Sequence, residues 1–581
     1  MKKYFFFLLG AALIAGCKNA QKNSSISFDP YSYQIQKKVI ASQGAVVSAH
    51  PLASMTGLDI LKKGGNAIDA AIATQLALAV VYPNAGNLGG GGFLVGYLQS
   101  AGDAKGEAIS IDYREMAPGR ASKDMYIDST GTARTDKSQD GHLSSGVPGT
   151  VAGLFAAAKY SKLPFEKLIE PAIQLAEKGF VISRREANSL NRLQSDLKKY
   201  NTVMPVFVKD TPWKEGDTLI QTDLANTLKR IREKGAAGFY EGETAKLIVE
   251  EMQRGGGIIS YEDLKNYEAK FRQPHQFEYK GYSVIGMPMP SSGGVLLHQM
   301  MKMIENRNIA AMGFHSKQAV QLMTEVERRA YADRAEYMGD ADFYKVPVAM
   351  LTNDVYLQDR MKDFDPARPT PSEKIKPGFM QVSESEETTH LSVIDGDGNA
   401  VAVTTTLNNS YGSRTVVGGA GFFLNDEMDD FSIKPGVPNM YGAVGGEANA
   451  ITPGKRMLSS MTPTLVLKDN KPYLVVGTPG GTTIPTSVFQ TLVNILEFNM
   501  STEDAVYKPK FHHQWLPDRL DVERNFPQAI LDSLKQMGYT IRERGEIGRT
   551  EVIKVISWDP KDKARFEAVA DKRGDDDARG W

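Results

Sequence analysis

The chain has 581 residues, 41% of them hydrophobic, enough to bury a large core; its length allows more than one unit without demanding it. Lys and Arg number 68 against 69 Asp and Glu, a formal net charge of −1, which argues against a polyanion-binding surface and therefore against nucleic acid as a partner. A single cysteine, Cys17, rules out an internal disulfide.

In chain order, Lys2-Lys3 give a positive start, Tyr4 to Ala15 an apolar run, and Ile14-Ala15-Gly16-Cys17 the pattern of a bacterial lipobox. Residues 1–16 are read as a lipoprotein signal peptide, Cys17 as the lipidated residue, and 17–37 as a lipid-anchored tether, polar from Lys18 to Asp29. A plain secretory signal or a short anchor helix are the other readings, although the run is shorter than the roughly 20 residues of a membrane span. The expected location is periplasmic or cell-surface, with the membrane engaged only through the lipid.

Ser54 to Val81 reads as a helix with Ser54 as a possible N-cap, interrupted at Gly64-Gly65 and apolar nearly all round from Ala67 to Val80, hence buried. Gly89 to Gly92 lack a following Gly-Lys-Ser/Thr and precede a strand, Phe93 to Leu98, so they imply tight backbone packing and not phosphate binding. Phe165 to Lys270 is richer in charge, with peripheral helices expected at Leu224 to Lys234 and Gly242 to Arg254 and another helix at Ser316 to Met338. Strands are expected at Phe277 to Ile285, after residue 388, and at Thr464 to Val476. Helices with non-adjacent strands fit a layered α/β arrangement.

The most informative stretch is Thr388 to Asn408. Residues 389, 391 and 393 place Thr, Leu and Val on one strand face, and 388, 390 and 392 place Thr, His and Ser on the other, the period-2 signal of a half-buried strand. A turn symmetric about Asp397 sets Thr388 opposite Thr406, close enough for two hydroxyls to share a hydrogen bond, with Asn408 two residues further on the same face. A Thr hydroxyl needs a base, and a free α-amino group on the same residue supplies one. The chain would then be cut between Glu387 and Thr388, after the acidic segment Gln381 to Glu387. The other reading is an ordinary hairpin using Thr for its β propensity.

The block Thr388 to Ser432, running into Lys434 to Gly442, resembles γ-glutamyltranspeptidases, N-terminal-nucleophile hydrolases that mature by self-cleavage. The resemblance continues in Ser48 to Ser54, Gly64 to Ala71, Gly86 to Phe93, Asp112 to Pro118, Gly146 to Thr150, Pro290 to Gly294, Leu458 to Thr464 and Gly477 to Gly481, covering roughly residues 38 to 581. It implies a four-layer αββα sandwich built jointly by a large chain, 38–387 after the tether, and a small catalytic chain, 388–581, associated as a heterodimer.

It also implies site roles. Thr388 is the nucleophile, Thr406 its helper, and the backbone N–H groups of Gly480 and Gly481 the oxyanion hole. Arg114, with Ser459 and Ser460, matches positions that grip the substrate α-carboxylate, a task suited to a planar donor fork. Asn408, Glu427 and Asp430 match positions that bind the α-ammonium; Glu427 falls where some bacterial relatives carry Gln and others Glu. Pro435 to Gly446 resembles a lid loop with Tyr441 at its tip. No cofactor is implied. The metal readings fail on their own terms: Asp395 to Asn399 lacks a Glu at the twelfth loop position, and His50 and His512-His513 lack HExxH or Cys-pair context. His390 reads as structural.

The expected activity is γ-glutamyl transfer from glutathione and related compounds to water or to amino-acid or dipeptide acceptors. Rival readings are a cephalosporin-type acylase, a poly-γ-glutamate-processing enzyme, or a non-catalytic lipoprotein binding γ-glutamyl peptides, because fold does not fix substrate.

Overall fold

The computed structural model describes residues 26–99, 106–375, 388–434, 436–558 and 564–581. Cys17, the signal segment and Glu387 lie outside them. Helix α1 (Pro51–Lys62) begins after His50, whose imidazole accepts the Leu52 N–H, so it starts three residues before the Ser54 cap expected from sequence. Ser54 is instead spent on tertiary contacts: its hydroxyl lies 2.7 Å from that of Ser48 and donates to the Asp577 carbonyl. Helix α2 (Ala67–Val81) opens with a capping box between Asn66 and Asp69, and every one of its residues is buried, as its all-round apolarity requires.

Fourteen strands form two seven-stranded sheets. They are β1 (Lys38–Ala41), β2 (Gly44–Ser48), β3 (Gly91–Leu98), β4 (Glu107–Tyr113), β5 (Lys270–Arg272), β6 (His275–Tyr279) and β7 (Tyr282–Gly286), then β8 (Thr389–Asp395), β9 (Ala400–Thr406), β10 (Thr464–Lys468), β11 (Lys471–Gly477), β12 (Glu551–Ser557), β13 (Arg565–Val569) and β14 (Asp577–Gly580). One sheet runs β14-β2-β8-β9-β3-β4-β5 and the other β1-β13-β12-β11-β10-β7-β6, antiparallel throughout. Both sheets contain strands from before and from after residue 388.

Three apolar layers account for the stacking. Leu391, Val393, Val401 and Val403 pack with Val46 and Leu94 against α1 and α2. On the other face Ile394, Ala400, Ala402 and Val95 meet Leu465, Val475 and Ile553 of the second sheet. Beyond it Val284, Val466, Leu474 and Val476 pack against helices α3 (Gly293–Ile304), α4 (Lys317–Tyr337) and α5 (Thr483–Leu496). The result is the four-layer αββα sandwich. It corrects one expectation: β8 and β9 are not half-buried but buried on both faces, because the second sheet covers the face that carries Thr388, His390 and Ser392.

Two runs expected as single strands are hairpins, turning at Lys280-Gly281 and at Asp469-Asn470, where all four residues have positive φ. The last part of the expected tether is also attached: the Tyr31 hydroxyl donates to the Lys178 carbonyl, the Tyr33 hydroxyl to that of Val181, and Lys37 Nζ to three carbonyls between Asp571 and Asp576.

Candidate active site

The β8–β9 ladder pairs Thr389 with Thr405 and His390 with Thr404, the register that a turn symmetric about Asp397 requires, so Thr388 enters the sheet opposite Thr406. The turn is held by Asp395, whose carboxylate accepts the N–H groups of Asp397 and Asn399 and the Asn399 side-chain amide. Thr388 and Thr406 are each 3% exposed. The Thr406 hydroxyl accepts the Asn408 N–H at 2.8 Å, and among the described residues it forms no hydrogen bond with Thr388. Asn87 fixes the Thr406 carbonyl by donating to it at 2.9 Å, while Gly90 lies so near that carbonyl that a Cβ would sit 2.1 Å from it. The glycine run is therefore a packing device.

Behind Thr388 on the same face, His390 shares its ring nitrogens with the hydroxyls of Thr404 at 2.9 Å and Ser392 at 3.1 Å. Burial pushes its pKa down to about 3, and does the same to His512, about 3, and His513, about 4. These folded-state values lie below the unfolded value near 6.5, so falling pH protonates the unfolded chain first. Stability is full in this respect above about pH 6.5 and is lost as pH falls toward 4, the loss there reaching about 3 kcal/mol per imidazole. His390→Gln is therefore expected to lose less stability than wild type between pH 7 and 4 in urea titrations, and equal slopes would contradict this. Buried carboxyls, shifted the other way, cancel in that difference.

Gly477 packs directly on the His390 ring, a Cβ there falling 2.2 Å from it, so the chain leaving β11 passes the Thr388 end of the hairpin. The next residues, Thr478 to Thr482, form the loop into α5. Among the described residues neither Gly480 nor Gly481 spends its N–H on a protein acceptor, and both have positive φ, 136° and 52°. They sit at the N-terminus of a 14-residue helix, where the backbone carries partial positive charge. The ring of Tyr441 covers Gly481, and its hydroxyl donates to the Asn408 carbonyl. Asn439 donates to Asp430, and the Met440 N–H to Asp429, so the loop is fastened to the acidic corner as well as over Gly481.

The charged end of the site brings together residues far apart in sequence. Arg114, 1% exposed, lies 2.6 Å from Glu427 and 2.5 Å from Asp430, with Glu115 at 3.4 Å. The Glu427 contact is an ion pair without the angle of a hydrogen bond, and both Glu427 oxygens lack hydrogen-bond donors. Burial opposes the Arg114 charge, yet Glu427, Glu115 and Asp430 outweigh it and hold the guanidinium protonated. Burial lifts Glu427 well above the usual carboxylate range and Glu115 to about 7. The residues expected at opposite ends of a substrate thus contact one another directly. Asn425 holds this corner, donating to Gly89 and Gly146 carbonyls and accepting the Glu427 N–H. Asn408 donates its amide to the Asp426 carbonyl.

Sequence reasoning missed Arg334. It projects from α4, donates to the hydroxyls of Ser292 and Ser460 at 3.1 Å each, and is 8% exposed. Ser292 donates in turn to the Ser459 carbonyl, which ties the Pro290 to Gly294 motif to Ser459-Ser460. The Ser459 hydroxyl accepts the Met461 N–H. Among the described residues no group of three or more His, Cys, Asp and Glu side chains is placed to hold a metal ion.

Comparison with known proteins agrees with this geometry. The family profile described as Gamma-glutamyltranspeptidase matches residues 53–581. The chain is 46% identical to the "Glutathione hydrolase proenzyme" of Escherichia coli (strain K12) over 553 residues, covering 94% of each. Among solved structures it resembles the cephalosporin acylase of Bacillus halodurans (TM-score 0.81, 26% identity, 96% of this chain and 99% of that one). It also resembles the gamma-glutamyltranspeptidase of Helicobacter pylori (TM-score 0.55, 43% identity, 61% of this chain and 99% of that one). With the Thr388 hairpin, the glycine loop and the charged corner linked through Tyr441 in an αββα sandwich, and a family match over residues 53–581, the chain belongs to the gamma-glutamyltranspeptidase family.

Proposed function

We propose that this enzyme is a glutathione hydrolase and γ-glutamyl transferase that cuts itself between Glu387 and Thr388 and then uses Thr388 as its nucleophile. The carrying observation is that a Thr at the head of β8, two glycine amides with no protein acceptor among the described residues, and a buried Arg114 paired with Glu427 and Asp430 are joined through Asn408, Asn439 and Tyr441. The Thr388 hydroxyl attacks the γ-carbonyl while its own α-amine, with an ordinary pKa near 7.7 to 8.0, takes the proton. Thr406 orients the pair, and Gly480 and Gly481 N–H groups receive the oxyanion. Collapse of the tetrahedral intermediate passes the proton to the leaving amine, Cys-Gly in the case of glutathione, and leaves a γ-glutamyl ester on Thr388. Water or the amine of an amino acid or dipeptide then attacks that ester, regenerating the hydroxyl.

Arg114, Ser459 and Ser460 receive the α-carboxylate, and Glu427, Asp430 and Asn408 the α-ammonium. A zwitterionic head group offers Arg114 a carboxylate and the acidic side chains an ammonium, so opening the Arg114 pairs leaves the buried guanidinium with a partner. This favours a free amino-acid head over the acylase reading. Intact-mass analysis together with release of p-nitroaniline from γ-glutamyl-p-nitroanilide tests the proposal: two chains and turnover are expected, and one uncut inactive chain would overturn it.

The lipobox reading of Cys17 places the enzyme on a membrane surface outside the cytoplasm. More than one acyl chain, at about 0.8 kcal/mol per buried CH₂, anchors it against a salt wash. Cys17→Ser is expected to release active enzyme from the membrane fraction or to stall its export, with kcat/KM unchanged in whatever is exported. A wild-type protein soluble without detergent, with its mature N-terminus elsewhere, would replace this by a plain secretory signal.

A further inference from the structure

The two glycine amides that receive the oxyanion are aimed by their neighbours' carbonyls. In a trans peptide the C=O of one residue and the N–H of the next point in opposite directions, so pinning a carbonyl on one side presents the following N–H to the other. The Thr478 hydroxyl donates to the Pro479 carbonyl at 2.8 Å and accepts the Arg549 N–H at 2.7 Å. The Gly480 carbonyl is held by the Thr483 N–H at 2.9 Å and the Thr483 hydroxyl at 2.7 Å. Thr478 is fully buried in a loop whose next two glycines are free to rotate, so side-chain hydrogen bonds and not glycine stereochemistry set the peptide planes.

We propose that Thr478 is a positioning residue for the reaction: a latch that turns the Pro479–Gly480 peptide so that the Gly480 N–H faces the oxyanion, with Arg549 fixing the latch from the opposite strand end. Thr483 does the same for Gly481 but shares the work with its own backbone N–H. The two latches are therefore unequal. Among the described residues the Pro479 carbonyl accepts only from Thr478, whereas the Gly480 carbonyl keeps a backbone donor whatever occupies position 483.

This inference rests on the assignment of Gly480 and Gly481 as the oxyanion hole, and the experiment separates the two. The mature two-chain enzyme is prepared as wild type and as Thr478→Val, Thr478→Ala, Thr478→Ser and Thr483→Val. Hydrolysis of γ-glutamyl-p-nitroanilide is measured with inhibition by a γ-glutamyl boronate analogue, whose tetrahedral adduct on Thr388 carries an oxygen toward the hole, and by glutamate, a ground-state ligand. Losing one oxyanion donor costs about 10²- to 10³-fold in kcat, so mis-aiming one is expected to cost roughly 10- to 100-fold. Thr478→Val and Thr478→Ala, which differ in shape but both lack the hydroxyl, should show that loss in kcat and in boronate affinity, with glutamate affinity and KM nearly unchanged. Thr478→Ser should recover most of the loss, and Thr483→Val should stay within about threefold of wild type, since its backbone donor persists. A Thr478→Ser variant as impaired as Thr478→Val would assign the effect to packing and overturn the latch, as would a parallel fall in glutamate affinity. If the boronate forms no adduct on wild-type Thr388, the site assignment itself fails; if it does and Thr478→Val matches wild type, only the latch fails.

Discussion

Thr388→Ala is expected to accumulate as one uncut chain with no measurable γ-glutamyl transfer, whereas wild type yields a fragment running from Thr388 to Trp581. In the proposed mechanism one hydroxyl both cuts the chain and carries the acyl group, so its removal makes maturation and turnover fall together. Thr388→Ser keeps a hydroxyl at the same place and should cut and turn over more slowly. Edman sequencing of the small chain provides the check. A fragment beginning at Thr389, or full activity in the uncut alanine variant, would remove Thr388 from the mechanism.

Arg114→Lys should raise KM and lower kcat/KM for γ-glutamyl-p-nitroanilide by about 2 to 5 kcal/mol in transition-state binding. One guanidinium holds Glu427 with one terminal nitrogen and Asp430 with the other, and its Nε donates to the Met457 carbonyl. An ammonium is a single compact charge and cannot reproduce that fork, either toward these carboxylates or toward a substrate carboxylate. The same reasoning makes a substrate without its α-amino group poor, because Glu427 and Asp430 would then stay unmatched beside an Arg114 drawn to the ligand. Wild-type kinetics in Arg114→Lys would reduce Arg114 to a structural residue.

The hairpin that carries Thr388 was legible because its information is local: a period of two, a turn rich in Asp, Gly and Asn, and strands of matching length fix the register without knowledge of the rest of the fold. The same locality explains α2, where a polar cap precedes an uninterrupted apolar run. Local pattern failed where a two-residue turn hid inside a hydrophobic stretch. Asp469-Asn470 and Lys280-Gly281 turn at φ between 47° and 83°, and Asp-Asn and a Gly were the available signals. The charged corner was legible only through resemblance. Arg114 and Asp430 are 316 positions apart, and nothing in either neighbourhood says that they meet. Arg334 lay in a charged helix whose pattern shows it will be helical but not that its guanidinium reaches Ser460. The burial of Thr388 on both sides of its sheet was likewise invisible, since it depends on a second sheet assembled from distant strands.

The sharing of both sheets by strands from either side of the proposed cut before Thr388 has a thermodynamic consequence. Five ladders, β1 with β13, β7 with β10, β2 with β14, β2 with β8 and β3 with β9, cross from one future chain to the other. Before the cut, each forms within a single chain, at the high effective concentration that covalent connection provides. After the cut, the same contacts hold the two pieces together, but reassembly from the unfolded state has become a second-order encounter between fragments that expose unpaired strand edges. Folding is then a one-time event: the precursor returns from denaturant at a rate independent of dilution, while the processed enzyme persists chiefly because its escape is slow, with durability measured as a lifetime and not as an equilibrium.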